Sequence, residues 1–207
     1  MSPRRPYGQF DRERRPGKPR LLLAVLASPP LTTSGAVTRR RVELAAQLIG
    51  CDAVTFSNLI SIPTADVLDI AAVGRDPIGW SDAQAEIAAG LEEADSVLFG
   101  WGCAEPSGPA RNRHRAQVRW LHAGVHRRNL RWWTVGGAPR HPSRWQRYTA
   151  REYPKVPFHV ALSRSLRANI PLAPNVRTNS CRCSAVWSPH EEDLDNSDDV
   201  ACPSGSS

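Results

Sequence analysis

An arginine and a histidine stand side by side between two prolines in the stretch Thr134-Val135-Gly136-Gly137-Ala138-Pro139-Arg140-His141-Pro142. The imidazole of His141 can act as acid, base or hydrogen-bond donor near neutral pH. The guanidinium of Arg140, joined by Arg40 or Arg41 from an earlier arginine run, can grip a phosphate. Trp101 offers a flat face on which a base stacks, or else fills the core at a strand end. Gly102 beside it admits close approach of a ligand or a second backbone. Ser28 and Asn58 contribute a hydroxyl and an amide. The chemistry these types share is recognition of a planar, phosphate-bearing guest.

These residues can meet only if the chain brings their elements to a common edge. Leu21 to Ala27 is a continuous apolar run, the pattern of a strand buried on both faces, and Ser28-Pro29-Pro30 stops it. Val37 to Ile49 has helical periodicity, terminated by Gly50. A second strand spans Ala53 to about Asn58. A short helix capped by Thr64 runs to Val73, and another, capped by Ser81 or Asp82, runs to about Glu93. Ser96 to Gly102 reads as a third strand, Ala110 to Val125 as an arginine-rich helix, and Leu130 to Val135 as a fourth strand. Strand and helix alternate throughout, which predicts a three-layer α/β sandwich with a mostly parallel sheet of four or five strands. In such a sheet the strand ends carrying Ser28, Asn58, Trp101-Gly102 and Arg140-His141 share one rim, and ligands bind where the strand order reverses.

The domain expected from this pattern covers residues 21–150. Residues 1–20, rich in Pro, Arg and Gly, read as a disordered basic arm, and residues 151–170 as an extension in which Tyr153 to Ala161 adds a strand or a docking segment. Residues 171–207 read as a disordered tail, acidic over 191–199. The net charge of +7 is unevenly spread, with no acid between Arg111 and Arg151. A basic body suggests contact with a polyanion such as nucleic acid, although arginines also simply solvate a surface.

Leu21 to Ala27 is too short for a signal-peptide core or a membrane span, and five scattered cysteines suit a reducing compartment, so a cytoplasmic protein without membrane contact is expected. Cys181-x-Cys183, with His190 and Cys202, does not have the spacing of a zinc ribbon, and no metal or cofactor is expected. His114, His122 and His126 fall on one helix with no acidic partner and read as a solvated face.

The ordered set Ser28-Pro29, Thr38 with Arg40 and Arg41, Asn58-Leu59, Asp76-Pro77-Ile78-Gly79 with Asp82, Trp101-Gly102 and Thr134…Gly137-Ala138-Pro139-Arg140-His141-Pro142 resembles DUF1643, a bacterial and phage family known only as a domain of unknown function. The resemblance covers roughly residues 21–145 and adds Thr38, Asp76 and Asp82 to the candidate ligand contacts. More distantly the layout is similar to the uracil-DNA glycosylase superfamily. That likeness implies a glycosylase-like fold in which the loop after the first strand handles water, a histidine stabilises the departing base and arginines hold phosphates.

The chain departs from the family pattern where water would be handled. Ser28 stands in place of an Asn, the loop's Asp is missing, and the loop is about two residues shorter. Val135 replaces a Lys, and Ser81 an Asn. A serine can hydrogen-bond water but is no anionic base. Three functions are therefore expected from the sequence: a nucleotide- or nucleic-acid-processing protein with a glycosylase-like pocket, in which His141, Ser28 and Asn58 act on an N-glycosidic bond; a catalytically silent nucleotide or nucleic-acid binder; and a small-molecule enzyme on the same fold.

Overall fold

Leu22 to Val25 have no exposed surface at all, because the strand they form is paired on both edges and covered on both faces. The computed structural model describes residues 17–169, which belong to one compact unit. Their order is β1 (Leu21–Leu26), α1 (Ala36–Ile49), β2 (Ala53–Asn58), α2 (Val67–Val73), α3 (Ile78–Glu93), β3 (Ser96–Phe99), α4 (Pro109–Arg127), β4 (Arg131–Val135), α5 (Pro142–Glu152), α6 (Phe158–Ser165) and β5 (Leu166–Asn169). Most of the basic arm, the tail beyond residue 169 and its cysteines lie outside the described residues.

The sheet order is β2-β1-β3-β4-β5. Period-two alternation divides its side chains between two cores. Leu22, Ala24 and Leu98 pack with Val42 and Ala45 of α1, Trp145 of α5 and Leu162 of α6. Leu23, Val25, Val97 and Phe99 face the other way, onto Ile70 of α2, Ile87 and Leu91 of α3, and Leu121 and Val125 of α4. Two helical layers thus enclose one α/β sheet.

That sheet is mixed, which corrects the expectation of a mostly parallel one. β1 pairs in parallel with β2 and β3, and β3 with β4, but β5 runs antiparallel to β4, placing Val135 opposite Leu166 and Trp132 opposite Asn169. After β4 the chain passes through α5 and α6, which pack on the α1 side, and re-enters the sheet from the end it left, so the last strand runs against β4.

Two helix starts also differ from the expected ones. The carboxylate of Asp66, not the Thr64 hydroxyl, caps α2 by accepting from Leu68 N and Asp69 N at 2.7 and 3.1 Å. Asp76 Oδ1 accepts from Ile78 N at 2.8 Å and opens α3 one turn before Ser81 and Asp82. An aspartate two residues ahead of a free amide makes an Asx turn wherever the chain can bend, and here it does so earlier than apolar periodicity indicates. Among the described residues no helix is long and apolar enough to cross a membrane.

Candidate functional site

The C-terminal ends of β1 to β4 share one rim, and the strand order reverses between β1, which leads outward to β2, and β3 on its other side. A cleft of about 1080 Å³ opens there. Ser28, Thr38, Asn58, Trp101, Gly102, Arg140 and His141, drawn from three loops, the end of β2 and one helix, all line it. Arg40, Arg41, Asp76 and Asp82 do not. Arg40 is exposed on α1, and Asp82 is exposed on α3. Asp76 is occupied in the turn before α3. Arg41 is a strut: its guanidinium donates to Pro142 O and Ser143 O, each at 2.8 Å, and to Gln146 Oε1 at 2.8 Å, joining α1 to α5.

The loop after β4 is held in place by three devices. Gly136 and Gly137 have φ of 63° and 74°, a left-handed turn that costs other residues strain. A side chain at Gly136 would also run into Tyr148. Gly102 N donates to Pro139 O at 2.6 Å, tying the loops after β3 and β4 together. Fully buried Trp145 donates its indole N–H to Arg140 O at 2.7 Å, so a core residue sets the backbone under the two ionisable side chains.

His141 is the N-cap of α5. Its Nδ1 accepts from Ser143 N at 3.3 Å and lies 2.8 Å from Ser143 Oγ. A lone pair must point at that backbone N–H, so the neutral ring carries its proton on Nε2. Burial, and then the neighbouring Arg144 charge, hold the imidazole pKa below its usual value. The positive end of the α5 dipole acts in the same direction. His141 therefore offers the cleft a neutral Nε2–H donor.

Arg140 has no carboxylate partner among the described residues. Its guanidinium lies 4.3 Å from the centre of the Tyr148 ring, its Nη1 meets Cys103 Sγ at 3.5 Å, and its Nε is buried without a hydrogen-bond partner among the described residues. Arg39, Arg144, Arg147 and Arg151 also line the cleft. Arg39 sits over Phe56, and Arg151 meets Glu152 in an exposed pair. Asp66 is the one acidic residue on the lining among the described residues, and its Oδ1 is spent on the start of α2. The cleft is thus strongly cationic.

The other wall is chemically quiet. Ser28 Oγ shares a short hydrogen bond with buried Thr64 Oγ1. Asn58 keeps its side-chain amide unbonded within the described residues. Trp101 is 8% exposed: it packs at 4.8 Å on Phe99 within the core and forms part of the cleft wall. Sequence reasoning missed Arg39, Arg144, Arg147 and Arg151. The last three had a signal, their i, i+3, i+7 spacing in a stretch without acids. It also misplaced two histidines. His114 is buried and His122 half-buried, not solvated, because α4 turns them toward Trp80 and toward Phe99. No group of three His, Cys, Asp or Glu among the described residues could hold a metal ion.

A family model described as "Protein of unknown function (DUF1643)" matches residues 12–143, well over half of the chain. No curated protein and no solved structure matches it.

Proposed function

The chain belongs to the DUF1643 family, whose description states no function, and on that premise we propose that its cleft binds a nucleotide or a nucleic-acid strand through phosphate groups. One observation carries this reading. Five arginines line a cleft whose only acidic residue among those described is already committed as a helix cap. Only Arg151 among them meets a carboxylate of the described residues, that of the exposed Glu152; the others are poised for bidentate contact with an anion, and Arg140, with a buried Nε that has no partner among the described residues, is the central one. Arg144, Arg147 and Arg151 continue the contact along α5. Trp101 and Tyr148 supply flat apolar surface beside the arginines.

The test is binding of a fluorescent single-stranded oligonucleotide and of a nucleoside triphosphate at increasing salt. Affinity should fall as salt rises, because each phosphate contact releases a counterion, and Arg140→Ala should weaken it further. Binding indifferent to both would leave the small-molecule reading.

Hydrolysis of an N-glycosidic bond, as in a glycosylase-like pocket, is the second reading, supported by the neutral Nε2–H of His141. That donor could stabilise a base leaving as an anion. The attacking water would still have to lose a proton, and neither the Ser28 hydroxyl, bonded to Thr64, nor the Asn58 amide is a base. Binding without turnover is therefore placed first. Release of free base from modified oligonucleotides, abolished by His141→Ala, would reverse that order.

A further inference from the structure

A second hollow, of about 650 Å³, lies beside the cationic cleft and shares with it the short segment Trp101 to Ala104 and His114. Its character is different. Phe99, His122 and Trp132 form an aromatic wall in which the imidazole stands edge-on, 4.8 Å from the Phe99 centroid and 6.1 Å from that of Trp132. Thr134 follows two residues after Trp132 on the same face of β4, toward α4, and completes the interior.

Two polar atoms here lack a hydrogen-bond partner among the described residues: Thr134 Oγ1 and His114 Nδ1. Both residues are more than nine-tenths buried, Thr134 at 5% and His114 at 8% exposure. Buried polar groups in folded proteins are nearly always bonded, so two unmatched ones lining one hollow mark where a guest's donors and acceptors belong. Neither atom is used by the phosphate reading of the main cleft.

The charge of the hollow narrows the guest. At its mouth Arg115 is neutralised by Glu105 through a fork of contacts at 2.8–3.1 Å, which leaves the exposed Arg119 as the one unpaired charge on the lining among the described residues. Burial holds the pKa of both His114 and His122 below the usual imidazole value, so the interior is neutral near pH 7. Past the exposed Arg119 at the mouth an ion would meet no counter-charge, whereas a flat ring can lie on the aromatic surface within and bond at its edge.

We propose that this hollow binds an uncharged planar heterocycle of the nucleobase class, with Thr134 Oγ1 and His114 Nδ1 bonding its polar edge. The hydroxyl both donates and accepts. The imidazole nitrogen takes whichever role its tautomer leaves. The site shares His114 with the neighbouring cleft, but Thr134 lines the hollow and not the cleft, and the proposal does not depend on phosphates being held there.

The experiment is calorimetric titration of the full chain with free uracil, cytosine, adenine and hypoxanthine, none of which carries a phosphate. At least one base should bind, and Thr134→Val should weaken it about tenfold, the usual consequence of losing one buried hydrogen bond. Thr134→Ser, which keeps the hydroxyl, should bind within about twofold of wild type. Because Val removes an unmatched buried hydroxyl, Thr134→Val should melt no lower than wild type, which separates lost binding from lost folding. The proposal is overturned if no base binds, or if Thr134→Ser weakens binding as much as Thr134→Val. It is equally overturned if Arg140→Ala abolishes base binding while Thr134→Val does not. That last result would place the heterocycle in the main cleft and leave the phosphate reading intact.

Discussion

The loops after β1 and after β4 line the same cleft, and they could hardly differ more. The first, beginning at Ser28-Pro29-Pro30, presents no ionisable group, only the hydroxyls of Ser28, Thr32, Thr33 and Ser34, of which that of Ser28 is bonded to Thr64. The second places a guanidinium and a neutral imidazole on a backbone pinned by Trp145, Gly102 and a left-handed glycine pair. Both loops are tied to their neighbours, the first to Thr64 through Pro29 O and Ser28, but only the second carries charge. Such a cleft can grip an anion, but its one carboxylate among the described residues, Asp66, is engaged through Oδ1 as the cap of α2. In this protein the two tasks of a hydrolytic site, holding and activating, have come apart.

Breaking the charged wall should have the largest effect. Trp145→Ala removes a wholly buried indole and its bond to Arg140 O, and should cost about 3–5 kcal/mol of stability in denaturant unfolding. Oligonucleotide binding should be lost with it. A variant that unfolds like wild type would show that the loop after β4 is not anchored through this ring.

Arg140→Ala leaves the fold intact and tests the grip alone. Loss of a charge-assisted contact predicts about 1.5–3 kcal/mol weaker binding by fluorescence anisotropy, with a shallower dependence on salt. Gly136→Ala should cost about 1–2 kcal/mol, from a positive φ and a contact with Tyr148, and should show in the melting temperature.

Acid should weaken the same wall and spare the other. His141, like His114 and His122, has a folded-state pKa depressed by burial. The unfolded chain then binds protons first, so stability is full above the ordinary imidazole pKa of about 6.5 and declines as pH falls below it toward the folded values. Denaturant midpoints from pH 7.5 to 5 should fall, and His141→Gln should flatten part of that slope. A flat profile would contradict the burial of these rings. The smallest effect belongs to the quiet wall: Ser28→Ala should cost about 1 kcal/mol of stability and change oligonucleotide affinity by less than about twofold. A large loss of binding in that variant would erase the contrast between the walls.

Much of this could be read from residue order, and some could not. The unbroken apolar run of β1 specified a strand covered on both faces, and the Gly-Gly and Pro residues around Arg140-His141 specified a stiff loop at a strand end. These are local properties of backbone and side chain, fixed before any contact forms. Three features were not local. Among the adjacent Arg39, Arg40 and Arg41, neighbouring side chains point about 100° apart, so the one that meets the cleft depends on how Val42 and Ala45 seat α1 against the sheet. That packing turned Arg39 to the cleft and Arg41 to α5. The short strand Leu166–Asn169 has no apolar alternation of its own and forms because β4 leaves an open edge where α6 delivers the chain. The second hollow exists only because α4 and β4 carry His114 and Thr134 to one place. Sequence by itself settled the elements from β1 to β4 and the chemical groups they carry, but not α5, α6 or β5, for Tyr153 to Ala161 reads as a strand or a docking segment. Tertiary packing alone decided which of those groups share a cavity, because helix phase and strand pairing are fixed by contacts between residues far apart in the chain.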